Sequence, residues 1–184
     1  MVAVHLNTRN IEKSLKKPVI LIGMMGTGKT HLGKMLADAL NLEFFDSDHV
    51  IEKRGGLSIS EIFELYGEQR FRQSEEKTIL DLLDGGACII ATGGGAPMNP
   101  IIMDAIKEKS ISIWLDSDAE AIYARIKTAK NRPLLKTENP KATLAKLIDE
   151  RKSTYANADI TIKTKGNNAD HALNEMIEAI SKVL

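Results

Sequence analysis

Gly23-Met-Met-Gly-Thr-Gly-Lys-Thr30 has the spacing G-x-x-x-x-G-K-[ST], with an apolar strand pattern before it and an amphipathic helix pattern after it. Glycines let the backbone fold around an anion so that successive N–H groups point inward, and the N-terminus of the following helix adds partial positive charge. Lys29 adds a point charge for the outer phosphates and Thr30 a hydroxyl ligand for Mg²⁺. The segment therefore predicts binding of a magnesium nucleoside triphosphate. The plain alternative is a glycine-rich turn, but a turn gains nothing from Lys-Thr at the mouth of a helix.

Three further groups have types suited to the same chemistry. Asp46-Ser-Asp48 follows the second predicted strand, where one carboxylate suffices for Mg²⁺ and the other is left for a substrate. Capping of the helix that begins near His49 is the competing role for these residues. Gly93-Gly94-Gly95 ends the third strand and permits close backbone approach to a ligand; a tight turn is the alternative. Arg72, Arg132 and Arg151 come from separate segments, and guanidinium forks match carboxylates and phosphates, although singly each could be a solvated surface residue.

The elements that must position these groups alternate. Strands are predicted at Val19–Ile22, Leu42–Phe45, Cys88–Ala91, Ile111–Leu115 and Ile160–Ile162. Helices are predicted at Leu32–Leu40, Ser60–Tyr66, Glu68–Leu83, Pro100–Lys107, Ala119–Lys127, Lys141–Tyr155 and Ala169–Val183. Such alternation implies right-handed crossovers and an α/β fold, a parallel sheet covered on both faces. Two segments interrupt it: a helical insertion at 51–72, and a polar stretch at 129–140 whose composition suits a lid.

With 184 residues, 43% of them hydrophobic, the chain is one domain able to bury roughly 70% of its unfolded surface. Lys plus Arg and Asp plus Glu both number 25, so no global attraction draws it to nucleic acid or an anionic membrane. A single cysteine, Cys88, in an apolar run reads as inert core and fits a reducing compartment. Residues 1–17 lack the pattern of a secretory signal, and no apolar run is long enough to span a bilayer, so a cytoplasmic location is expected, with 1–17 a flexible arm or surface helix, a short organelle-targeting segment being the minor alternative that Arg9, Lys13, Lys16 and Lys17 leave open.

Read together, GMMGTGKT, FFDSD (44–48), GEQRFRQSEE (67–76), TGGGA (92–96) and RPLL (132–135) resemble the shikimate kinase family over nearly all of residues 18–184. The resemblance implies a P-loop NTPase-like three-layer sandwich with a five-stranded parallel sheet. It also implies a substrate-binding insertion at 51–72, a lid at 129–140 and an N-terminal extension at 1–17. ATP, with Mg²⁺, would be bound by Gly26, Thr27, Gly28, Lys29, Thr30, His31, Arg125 and Arg132, the metal by Thr30 and Asp46, and shikimate by Asp48, Arg72, Gly94 and Arg151. Asp48, Lys29 and Arg132 would be catalytic, and the enzyme a monomer. His31 stands where the family often has Thr, Ser153 where Pro is common, and Ala169 where an adenine-side proline is usual.

The expected reaction is transfer of the ATP γ-phosphoryl group to the 3-hydroxyl of shikimate, driven by positioning and charge neutralisation. Asp48 is expected to orient that hydroxyl, with a neighbouring Arg72 favouring the ionised carboxylate and so making it a weaker base. A kinase for another small polyol acid, such as gluconate, or for a nucleoside monophosphate is the nearest alternative. A GTPase switch lacks support: the chain has no N-K-x-D sequence and no apolar strand ending in D-x-x-G. Against a catalytically silent module, Lys29, Thr30, Asp46, Asp48 and Arg132 are all present.

Overall fold

Val19-Ile-Leu-Ile22 can be apolar at every position because the strand it forms is covered on both faces. In the computed structural model, which describes residues 2–127, 139–164 and 168–184 with side chains from Thr8 onward, this strand (β1) is the centre of a five-stranded sheet. The other strands of the sheet are β2 (Phe44–Asp46), β3 (Ile89–Ala91), β4 (Ile111–Asp116) and β5 (Ile160–Lys163). The order is β2-β3-β1-β4-β5 and every pairing is parallel, with Ile20 aligned to Ile90 on one side and to Ser112 on the other.

The helices are α1 (Val2–Ser14), α2 (Lys29–Leu40), α3 (Ser47–Gly55), α4 (Ile59–Leu83), α5 (Pro100–Lys109), α6 (Ala119–Ile126), α7 (Pro140–Tyr155) and α8 (Ala169–Val183). Strand alternation divides the core in two. Val19 and Leu21 point to one layer with Leu36 of α2 and Met176, Ile177 and Ile180 of α8; Ile20 and Ile22 point to the other with Ile79 of α4, Ile102 and Ile106 of α5, and Tyr155 of α7. Each such aliphatic side chain contributes roughly 1.5–3 kcal/mol by leaving water. No helix among the described residues is long and apolar enough to cross a membrane.

Sequence-predicted boundaries agree with these elements to within a few residues, and the two helices expected on either side of Gly67 form one α4 with a break there, where Gly67 has φ 78° and ψ 170°. Where a surface helix or flexible arm was expected for 1–17, residues 2–14 form a helix that packs on the core. Helix α1 lies against α2 and α8, and Ile11 and Leu15, 2% and 3% exposed, are part of the first core layer. Asn41, which ends α2 in the left-handed region, also donates its side-chain amide to Glu12 at 2.9 Å. The expected lid at 129–140, including Arg132, lies outside the described residues except for Asn139 and Pro140.

Candidate active site

The glycine loop joins β1 to α2 and leaves the start of α2 open. Gly28 is its N-cap, at φ 98°, and offers no side chain to bond the first helical N–H groups, which are the donors a phosphate needs. Gly26 lies so close to α6 that a Cβ there would stand 2.5 Å from Ile126 Cγ2. Lys29 is 8% exposed, and its ammonium donates to the carbonyls of Gly23 and Met24 at 2.8 Å each. Thr27 braces the same turn with a hydroxyl bond to Met24 O.

Thr30 and Asp46 meet across the end of the sheet: Thr30 Oγ1 donates to Asp46 Oδ2 at 2.7 Å. The other oxygen, Oδ1, accepts from the backbone N–H groups of Asp48 and His49 and caps α3. Capping and ligand chemistry, alternatives in the sequence, are thus divided between two oxygens of one carboxylate. One hydroxyl and one carboxylate oxygen suit Mg²⁺, a hard ion that keeps several waters and needs few protein ligands. Among the described residues no group of three or more His, Cys, Asp or Glu is arranged to hold a metal without such help.

Asp48 sits in the first turn of α3, facing a cavity of about 280 Å³ that Lys29, Thr30, Asp46 and Gly94 also line. Its Oδ1 is buried and has no hydrogen-bond partner among the described residues. Burial, then the nearby Asp46 and Glu75 carboxylates, push its pKa up to about 6 against the pull of Lys29. This corrects the expectation that Arg72 favours the ionised form. The Arg72 guanidinium is engaged elsewhere, with Glu75 Oε2 at 2.7 Å and Glu68 Oε1 at 3.1 Å.

The three consecutive glycines are explained by their neighbours. A Cβ on Gly93 would lie 3.0 Å from both Asp48 Oδ1 and Glu75 Oε1, one on Gly94 3.2 Å from the Met25 amide, and one on Gly95 3.0 Å from Arg72 Nη1. The run lets α3, α4 and the phosphate loop close on one point. Gly94 O then accepts from Arg151 Nη1 (3.2 Å) and from the Tyr155 hydroxyl, which brings α7 to the same place.

Arg125 and His31 border a separate cleft of about 360 Å³ beside the phosphate loop, closed on the far side by Lys163, Asn168, Ala169 and His171. Arg125 also donates to Gly26 O at 3.3 Å. His31 and Gly28 line both this cleft and the phosphate cavity, so the two are contiguous. The residues assigned to ATP and those assigned to the acceptor thus converge at one end of the sheet, Arg132 alone lying outside the described residues.

No role for Glu75 was expected from the sequence, nor any for Lys163, Asn168 and His171 in the far wall of the cleft, where Ala169 alone was anticipated. Glu75 was legible in principle, since it stands three residues after Arg72 on one helix. Cys88 is buried as expected, its thiol pushed up to about 11 by burial and by Glu43.

A parallel sheet in the order 2-3-1-4-5, with a phosphate loop after its central strand and an acidic and basic second site beside it, defines an α/β P-loop phosphotransferase. The family model for shikimate kinase matches residues 25–181. The chain is 46% identical to the shikimate kinase of Rhodopseudomonas palustris over 168 residues, 91% of this chain and 83% of that one. It is 40% identical to that of Brucella canis over 178 residues, 96% and 89% of the two chains. The solved structure of shikimate kinase from Acinetobacter baumannii in complex with shikimate superposes with a TM-score of 0.90 at 36% identity, covering 96% of this chain and 98% of that one. The chain belongs to the shikimate kinase family.

Proposed function

We propose that the protein transfers the γ-phosphoryl group of ATP to the 3-hydroxyl of shikimate, giving shikimate 3-phosphate and ADP. The observation that carries the acceptor half is the buried, unpartnered Asp48 Oδ1, beside the phosphate cradle and across Gly93 from Glu75. A buried carboxylate oxygen is costly without a donor, and a substrate hydroxyl held there would supply one. With a pKa of about 6, Asp48 is largely ionised at neutral pH yet more basic than an ordinary carboxylate.

In this reading Arg72, fixed by Glu75, and Arg151, fixed on Gly94 O, bind the carboxylate of shikimate. Asp48 turns the 3-hydroxyl toward the γ-phosphorus and takes its proton as the new P–O bond forms and the bond to ADP breaks. Lys29 leaves the Gly23 and Met24 carbonyls for phosphate oxygens, so its cradle contacts are exchanged rather than lost. The adenine enters the cleft of Arg125, His31 and Ala169, and Arg132 serves the transferring phosphate. Thr30 and Asp46 would hold Mg²⁺, which neutralises charge on the phosphates when bound. The buried Cys88 supports a reducing, cytoplasmic setting.

A panel of acceptors tests the assignment. Shikimate is expected to support ADP release, and gluconate and nucleoside monophosphates to leave it at background. Equal turnover with gluconate would transfer the protein to a different acceptor class.

A further inference from the structure

Residues of α3 and α4 border a second, open cavity of about 480 Å³ that shares no lining residue with the phosphate cavity and that the proposed reaction does not use. Arg54, Arg70 and Lys77 line it, and no carboxylate does. Arg54 is neutralised by Asp81 at 2.8 Å. Arg70 and Lys77 have no carboxylate partner among the described residues, and Arg70 donates only to Gln73. Both cations lie two turns apart on α4 and border the same cavity, so an anion seated there would meet positive charge from both.

Arg70, Ser74 and Lys77 follow one another at i, i+4 and i+7, so they share a face of α4, while Arg72 and Glu75 leave the helix toward Gly93 and Gly95. Beneath the cations the lining is apolar: Ile51 and Ile62 are 3% and 7% exposed and pack with Phe71. The Tyr66 ring, 61% exposed, stands at the rim. A cavity with a cationic wall, a hydroxyl, an aromatic edge and an apolar floor matches a ligand with a strong anionic head and an apolar body.

We propose that this cavity is a second ligand site, which takes the phosphate monoester of a small apolar or cyclic molecule. A monoester carries about −1.5 to −2 charges at neutral pH, enough to neutralise both Arg70 and Lys77. It would also bridge α4 to Arg54 on α3, and α3 and α4 are the helices that carry Asp48 and Arg72. The site is independent of which acceptor is phosphorylated.

Phenyl phosphate is a suitable probe, titrated calorimetrically into the full chain at saturating ADP, Mg²⁺ and shikimate so that the phosphate loop and the acceptor site are filled. Saturable one-to-one binding is expected at submillimolar concentration, with inorganic phosphate and benzoate at least about tenfold weaker. The double variant Arg70→Ala, Lys77→Ala should bind phenyl phosphate at least about tenfold more weakly. Both side chains are exposed, so the variant should fold, which an unchanged thermal melt verifies. Absence of binding at millimolar concentration, equal binding by the double variant, or inorganic phosphate binding as tightly as phenyl phosphate would overturn the proposal.

Discussion

Glu75 Oε2 accepts from Arg72 Nη1 at 2.7 Å, and the Glu75 side chain that makes this bond is 2% exposed. The pair joins a buried acid to a half-exposed base on one turn of α4, so the direction of the guanidinium is set from below. Burial raises the Glu75 pKa, and the Arg72 hydrogen bond and charge oppose it. Glu75→Gln keeps the shape and removes the charge. A charge-assisted hydrogen bond contributes about 1.5–3 kcal/mol, so the KM for shikimate is expected to rise roughly 10- to 100-fold. The KM for ATP should stay within about threefold of wild type; steady-state kinetics in both substrates would reveal a matching rise, which would deny Glu75 this positioning role.

Asp48 sets activity against stability. Its pKa in the folded chain, about 6, is above the ordinary 3.8, so between these values the folded state binds more protons than the unfolded state. The contribution of Asp48 to stability therefore falls as pH rises from about 4 to 6 and stays lower above that window. A shift of this size corresponds to on the order of 2–3 kcal/mol. Without nucleotide or Mg²⁺, Asp48→Asn is expected to melt about 4–8 °C higher than wild type at pH 7, and no higher at pH 4. It should also lose most turnover. Thermal melts across pH that show the variant no more stable at neutral pH would contradict the buried, unpartnered carboxylate.

The two oxygens of Asp46 can be tested separately. Asp46→Asn keeps an acceptor for the α3 cap and loses charge at the metal position. Its melting temperature should hold while the Mg²⁺ concentration for half-maximal activity rises at least about tenfold. Asp46→Ala loses both functions and about 1 kcal/mol of capping, which is a fall of about 2–4 °C. If the two variants showed the same Mg²⁺ dependence as wild type, Thr30 and Asp46 would not be the metal ligands.

Gly93 separates the two carboxylates. A methyl group 3.0 Å from both Asp48 Oδ1 and Glu75 Oε1 would press each carboxylate back by a few tenths of an ångström. Gly93→Ala is expected to weaken shikimate binding at least about tenfold while ADP affinity is retained. Titrations of each ligand check this, and equal loss of both would mean that the glycine supports the phosphate loop instead.

What could be read in the sequence was mostly local. The strand, glycine loop and helix from Val19 to Leu40 are contiguous, so their pattern carries both their structure and their chemistry. The strands ending at Asp46 and Ala91 were legible because parallel strands place their C-terminal ends on one side of the sheet. Choices among distant partners were not legible. Arg72 could have turned to Asp48 or to the acids of its own helix, and only the packing of α4 against Gly95 decides for Glu75 and Glu68. Ile11 in α1 and Leu15 just after it look like isolated apolar positions among basic residues; their burial depends on the surfaces of α2 and α8, far away in the chain. Lys163, Asn168, Ala169 and His171, the far wall of the cleft beside Arg125, come from the end of the last strand and the start of α8 and form no motif of their own.

In the proposed reaction two substrates meet between Lys29 and Arg72, with Asp48 between them. ADP release from ATP and Mg²⁺, followed with and without shikimate, tests it most directly. Turnover is expected to depend strictly on shikimate and to be lost in Asp48→Asn. ADP release that proceeds at the same rate without shikimate, or survives in that variant, would contradict it.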